Sequence, residues 1–187
     1  MDVHEGVQVD LMDSDSSNVR AMVASGVADL GIAGPAAQSQ SLRDDPLFSD
    51  PLHVVCLQDS AYARAGGGLS WNDLRDAPLI ANQTLVVTDL PEAAAIVAKS
   101  RLSVRNILSL LAMVRSGIGI TLLPGLATRS LEPPLAAIPM TGPGCTRSIG
   151  LLSRGGRTES PLVKAFRQHL FATLREVAPE LGLRLEF

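Results

Sequence analysis

Hydrophobic residues along this chain fall into short runs closed by Gly or Pro, and one such pattern occurs twice. Residues 22–35 read "MVASGVADLGIAGP" and residues 113–125 read "MVRSGIGITLLPG". In each copy Met-Val, a variable residue and Ser-Gly precede an apolar run that ends in Pro. Gly26 and Gly117 stand where a helix would end, because glycine enters the left-handed region without a Cβ clash. The runs behind them, "VADLGIA" and "IGITLL", are too short for helices and are bounded by breakers, so they predict buried strands. Upstream, "GVQVDLM" alternates Val7, Val9 and Leu11 as a strand would, and "DSDSSN" is dense in N-capping residues. Ahead of the second copy, "RLSVRN" places Leu102 and Val104 on one strand face, with Asn106 as the cap of "ILSLLAMVRS". Both cassettes therefore read strand, capped helix, glycine, strand, half of a crossover unit each. Their separation is too long for a solenoid repeat and favours two similar α/β lobes.

Between and after the cassettes the same reading continues. "AAQSQSLRDDP" is polar and predicts a surface loop with a turn at Asp45-Pro46, followed by a long strand in "PLHVVCLQD". Ser70 and Asp73 have capping-box spacing and predict a short helix over residues 71–75. "PLIAN" predicts a strand, and "LPEAAAIVAKS" a helix with Pro91 in its first position. "PPLAAIPM" and "TRSIGLLS" predict two strands separated by the turn-forming "TGPG". In "SPLVKAFRQHLFATLREV", Ser160 is the cap, and Val163, Phe166, Leu170, Leu174 and Val177 form one apolar helical stripe. Two strands, near "LHVVCL" and "RSIGLL", then cross between the lobes and leave a cleft where a small ligand would sit.

Composition narrows the function. The 187 residues are 46% hydrophobic and 19% charged, as in a folded globular protein. A net charge of −3 with no basic block argues against direct binding to nucleic acid. No run reaches membrane-spanning length, and "MDVHEGVQVD" lacks the features of a secretory signal, so the expected location is the cytoplasm, away from membranes. Cys56 and Cys145 fit no metal spacing and are expected to be unpaired, Cys56 as a small core residue.

Catalytic signatures are missing: no nucleophile elbow, zinc motif, Walker loop or dinucleotide fingerprint. His4, His53 and His169 lie in separate segments without partners. "DSDSSN" lacks the Gly and Glu of a calcium loop and reads as a helix cap, so neither a metal nor a cofactor is expected. What stands out is small polar residues at predicted helix N-termini: Ser16 and Ser17, Asn82 to Thr84, and Asn106 with Ser109. Free N–H groups and the positive dipole end make such positions suited to an anion, typically a carboxylate. Each of these residues also has a purely structural use as a cap, and Asp13 and Asp15 would repel an acid.

The stretches "VRAMVASGVADLGIAGP", "DPLFSDPLHVVCLQDSAYA", "LSWNDLRDAPLI", "SLLAMVRSGIGITLLPGLA" and "SPLVKAFRQHL" resemble, in order and spacing, the effector-binding domain of LysR-type transcriptional regulators, over about residues 7–174. The resemblance implies an α/β fold like that of type 2 periplasmic binding proteins, with two Rossmann-like subdomains joined by two crossing strands. Residues 1–54 would open subdomain I, 55–147 form subdomain II, and 148–187 supply the return strand and C-terminal helix of subdomain I. It implies an inducer met by Ser16 with its neighbours Asp15 and Ser17, by Gly34 and Pro35, by Asn82, Gln83 and Thr84, and by Ser109. The implied role is ligand sensing without catalysis, in a homodimer or homotetramer. The helices of "VRAMVASG" and "PEAAAIVAKS" are the interface candidates. DNA would be reached only through a winged helix-turn-helix that these residues do not include. "VQVDL" resembles the family's second strand, so the first strand and helix are expected to be missing, with an open sheet edge and Met1 an internal residue of a longer frame. A transporter's solute-binding protein, or a free-standing binding domain, would share the fold. An enzyme on this scaffold would have only Asp13, Asp15 and hydroxyls to work with.

Overall fold

The computed structural model describes residues 6–34, 41–82 and 90–187. Asp15 caps the first helix, α1 (Ser16–Ser25), which ends at Gly26 with φ 81°, as the cassette predicts. Strand β1 (Leu30–Ala33) follows. The second cassette builds α4 (Ile107–Arg115), capped by Asn106 and followed by Gly117 at φ 73°, and then β5 (Thr121–Pro124). One close approach explains a further glycine. A Cβ on Gly31 would lie 2.6 Å from Val19 Cγ1 and 2.8 Å from Val23 Cγ2, so only a bare backbone lets α1 settle on β1.

The organising element is β2 (Leu42–Leu57), 16 residues long. Its first part, Leu42 to Pro51, pairs antiparallel with β7 (Thr146–Arg154), which also pairs with β1; β8 (Arg184–Leu185) lies on its other side. From Leu52 onward β2 pairs instead with β5 and with β6 (Leu135–Pro139). One strand thus serves two sheets, which accounts for a length well beyond the usual five or six residues. In the second half, β3 (Ile80–Ala81) pairs in parallel with β4 (Leu102–Ser103) and bridges in parallel to Ile120 through Leu79. The crossover from β4 to β5 is α4. The short helix α2 (Ala61–Arg64), a 3-10 turn at Asn72–Leu74, α3 (Pro91–Ala98) and α5 (Gly125–Thr128) complete this half. The capping box is present: Ser70 donates through N and Oγ to Asp73 Oδ2 at 2.8 and 2.6 Å. Helix α6 (Pro161–Leu181), capped by Ser160, returns to the first half. There Leu47, Phe48, Ile149, Leu151 and Leu174 form a core, while Leu52, Val54, Cys56, Trp71, Leu74 and Leu122 belong to the core of the other half. Cys56 and Cys145 are buried and unpaired.

Two expectations are corrected. The alternation of Val7, Val9 and Leu11 forms no strand: residues 7–15 lie outside any element, with Val9 64% and Leu11 92% exposed. A strand satisfies its N–H and C=O groups only against a neighbour, and β1, on the side away from β7, pairs with none of the described residues. Ile32 on that edge is half exposed. Nor is there a turn at Asp45-Pro46. β2 runs straight through it, with a bulge between Pro46 and Phe48 that accommodates a residue unable to donate to the ladder. The pull of the long pairing with β7 overrides the local turn preference.

Candidate functional site

Asp15 spends both carboxylate oxygens on its own helix, accepting from Asn18 N and Asn18 Nδ2 at 3.0 Å each. Ser16, one residue on, looks outward from the helix start. Its Oγ accepts from the Gly34 N–H at 3.2 Å, so the first turn of α1 and the end of β1 are tied together. The Gly34 carbonyl in turn accepts from Arg20 Nη2. Arg20 also pairs with Asp44 at 3.3 Å, and its Nε is buried with no hydrogen-bond partner among the described residues.

A second cation reaches the same spot from β7. A Cβ placed on Gly34 would lie 3.7 Å from both Ser16 Oγ and Arg147 Nε, and 3.8 Å from Arg147 Nη2. Gly34 is thus flanked by a hydroxyl and a guanidinium. Burial pulls the Arg147 pKa down from its ordinary value, and the Asp50 charge pulls it partly back. A guanidinium remains a cation in any protein setting, so this is a partly desolvated positive charge. Asp50 is its register partner on β2. That aspartate is 1% exposed; Oδ2 accepts from the Leu126 N–H at 3.1 Å, and Oδ1 has no hydrogen-bond partner among the described residues. Desolvation raises the Asp50 pKa, against the Leu126 and Gly125 N–H groups, His53 and Arg147.

Of the residues marked from the sequence, Ser16 and Gly34 come together here. Ser17 is exposed on α1. Asn82 and Ser109 belong to the other half. Asn82 is buried, and its Nδ2 donates to Thr121 Oγ1 at 2.9 Å and to the Leu122 carbonyl at 2.8 Å, fixing the end of β3 to β5. Ser109 is exposed, and its N–H is taken by Asn106 Oδ1 at 3.1 Å. Pro35, Gln83 and Thr84 lie outside the described residues. Sequence reasoning missed Arg20, Asp50 and Arg147. For the last two a signal was present: a charge at the entrance of an apolar strand demands a partner or a ligand.

As a chemical environment, the end of β1 offers a hydroxyl and two guanidiniums; Arg20 is engaged by the Gly34 carbonyl and Asp44, which leaves Arg147 as the cation suited to an anion. Among the described residues, no group of three or more His, Cys, Asp and Glu is placed to hold a metal, and no helix is long and apolar enough to cross a membrane.

Comparison with known proteins agrees with this architecture. A family model described as the LysR substrate binding domain matches residues 1–175. A curated relative, the uncharacterized HTH-type transcriptional regulator YbhD of Escherichia coli K12, is 23% identical over 172 residues, covering 88% of this chain and 54% of the relative. The chain thus spans about half the length of that relative. Among solved structures, the BenM effector binding domain with its effector benzoate superposes with a TM-score of 0.70 at 17% identity, over 90% of this chain and 78% of that one. The effector binding domain of QuiR in complex with shikimate gives 0.70 at 17% identity, over 87% and 79%. The shared fold is two α/β halves joined by two crossing strands, as in type 2 periplasmic binding proteins.

Proposed function

Because this chain belongs to the LysR substrate binding domain family, a family of regulatory ligand-binding domains, we propose that it senses a small anionic metabolite, a carboxylate, for a LysR-type transcription regulator of the cytoplasm. The observation that carries the reading is the end of β1, where the partly desolvated Arg147 guanidinium and the Ser16 hydroxyl flank Gly34. The anion is held at Gly34 between Ser16 Oγ and Arg147, with Asp15 and Ser17 beside it. Asn82 and Ser109 are the contacts proposed from the other half. Benzoate and shikimate, named with the BenM and QuiR domains, are both carboxylates, which supports the ligand class. The ligand biases the arrangement of the halves by its affinity difference between their states, typically about 1–3 kcal/mol of coupling. That bias reaches DNA through a homodimer or homotetramer and a winged helix-turn-helix on the same polypeptide.

The test is a thermal-shift screen of small carboxylates followed by calorimetry on the best of them. Losing a charge-assisted hydrogen bond costs about 1.5–3 kcal/mol, so Arg147→Ala weakens binding about tenfold to a hundredfold. A ligand that binds Arg147→Ala as tightly as the parent, or whose ammonium analogue binds equally well, would defeat the proposal.

A further inference from the structure

Asp50 and Arg147 are register partners at the point where the two crossing strands leave the first half of the molecule. Partners in an antiparallel ladder project from the same face of the sheet, so carboxylate and guanidinium share one environment. They attract through charge, without a direct bond: Oδ2 accepts from the Leu126 N–H, and Oδ1 has no hydrogen-bond partner among the described residues. A Cβ on Gly125 would lie 2.8 Å from Oδ1 and 3.3 Å from His53 Cε1, so the backbone of α5 closes over the carboxylate and keeps water away. A buried carboxylate with an unmatched oxygen depends on any cation in reach.

The charges around Asp50 are few. Arg147 comes from β7 and His53 from β2 itself, and both favour the ionised form. The β5 segment Thr121–Pro124 brings no charge. On α1 Arg20 is engaged by Asp44, beyond α5 Arg129 donates to the Glu180 carbonyl at 3.0 Å, and beyond β8 Glu186 accepts from Ser148 Oγ at 3.3 Å. Arg184 of β8 is the register partner of Ser49, whose side chain projects from the opposite face to that of Asp50. Arg147 is therefore a counter-charge to Asp50 and, in the reading given above, the cation that meets the anion at Gly34.

We propose that anion binding at Gly34 is coupled to uptake of one proton by Asp50. The inference rests on the anion reading of that site. The incoming carboxylate neutralises Arg147; the buried Asp50, deprived of its counter-charge, takes a proton from water and becomes a carboxylic acid, and it returns that proton when the anion leaves. A neutral carboxyl accepts from the Leu126 N–H less strongly than a carboxylate does, so the change is felt by α5 in the other half. Affinity for the anion then falls as pH rises through the Asp50 titration, by at most about tenfold per pH unit, the limit for one proton.

The experiment follows the Asp50 carboxyl carbon by NMR against pH, in sodium formate and in sodium chloride of equal ionic strength. Formate is the smallest carboxylate, so no wall of the site excludes it, and the Gly34 amide reports its binding independently. Three results are expected: the Asp50 midpoint moves up in Arg147→Gln without formate, it moves up in the parent with formate, and formate has no further effect on it in Arg147→Gln. His53→Gln should retain the formate effect. An Asp50 midpoint unmoved by Arg147→Gln, a formate effect that survives in that variant, or one that vanishes in His53→Gln would overturn the coupling. A saturable Gly34 shift with Asp50 unmoved overturns the coupling and leaves the anion site standing, whereas a Gly34 amide indifferent to formate defeats both.

Discussion

Replacing the Arg167 side chain should loosen the C-terminal helix on the sheet it packs against. Arg167 of α6 reaches three groups at once. Nη1 lies 2.5 Å from Asp45 Oδ2 on β2, Nη2 meets Glu159 Oε1 and stands 3.2 Å from Ser153 Oγ on β7, and Nε is 3.3 Å from Glu159 Oε2. The side chains of Arg167, Asp45 and Glu159 are 15%, 22% and 18% exposed, so the cluster sits much nearer the buried than the solvated limit. Breaking a buried pair by deleting one partner costs about 3–5 kcal/mol, whereas an exposed pair contributes about 1 kcal/mol or less. At this burial, Arg167→Met costs about 2–4 kcal/mol. The loss arises chiefly because two partly buried carboxylates lose their shared counter-ion; Arg43, 2.9 Å from Asp45 but 62% exposed, offsets little of it. For a chain of this size that corresponds to a fall in Tm of about 4–16 °C, read by circular dichroism and checked by urea denaturation. The neutralised triple variant, Arg167→Met with Asp45→Asn and Glu159→Gln, should recover more than half of the loss, because no charge is then stranded. If Arg167→Met alone costs under about 1 kcal/mol, or the triple variant is no better than the single one, the cluster is solvent-screened and the reasoning fails.

Two pH effects of opposite sign follow from the same electrostatics. The Arg167 hydrogen bond holds the Glu159 carboxyl below its ordinary 4.5. Its contribution is therefore complete above about pH 4.5 and disappears as pH falls through the folded value; Glu159→Gln should flatten the acid limb of a stability–pH curve, and an unchanged limb would contradict the pairing. Asp50 is the reverse case, raised above 3.8 by desolvation. Stability contributed by Asp50 falls as pH rises from 3.8 to the folded value, so the stability of Asp50→Asn relative to the parent should climb over that window and level off beyond it. A flat difference would mean that Asp50 is solvated. Gly117→Ala forces φ 73° on a residue with a Cβ, whose nearest neighbour, Leu57 Cδ1, is at a comfortable 3.8 Å. The cost is then backbone strain alone, about 1–2 kcal/mol by thermal melt, and a neutral result would show that the turn relaxes.

Much of the fold could be read along the chain because its signals are local. Caps at Asp15, Asn106 and Ser160 accept from N–H groups three residues on, and Gly26 and Gly117 turn left-handed within the same segment. What failed was decided elsewhere. "VQVDLM" has a strand's alternation, yet alternation supplies a face and not a pairing partner, and without one the segment stays outside the sheet. At Asp45-Pro46 the turn signal was real but weak, set against a ladder of nine paired residues with β7. Local preference loses when many long-range hydrogen bonds oppose it.

The surroundings of Gly34 divide in the same way. Ser16 was visible because a hydroxyl at a helix start has few uses, and each predicts where it points. Arg147 was not, because its meaning depends on where β7 is laid: only when the return strand pairs between β1 and β2 does its guanidinium arrive beside Gly34 and opposite Asp50. The pairing that hid the residue also explains its use. Arg147 stands on one crossing strand, and Asp50 on the other at its change of sheet, where Oδ2 accepts from the Leu126 N–H of α5 in the second half. An anion at Gly34 that draws the guanidinium away from Asp50 alters the charge at the junction of the two halves. A sensor needs that connection, because a ligand shifts an equilibrium only through contacts that differ between its states.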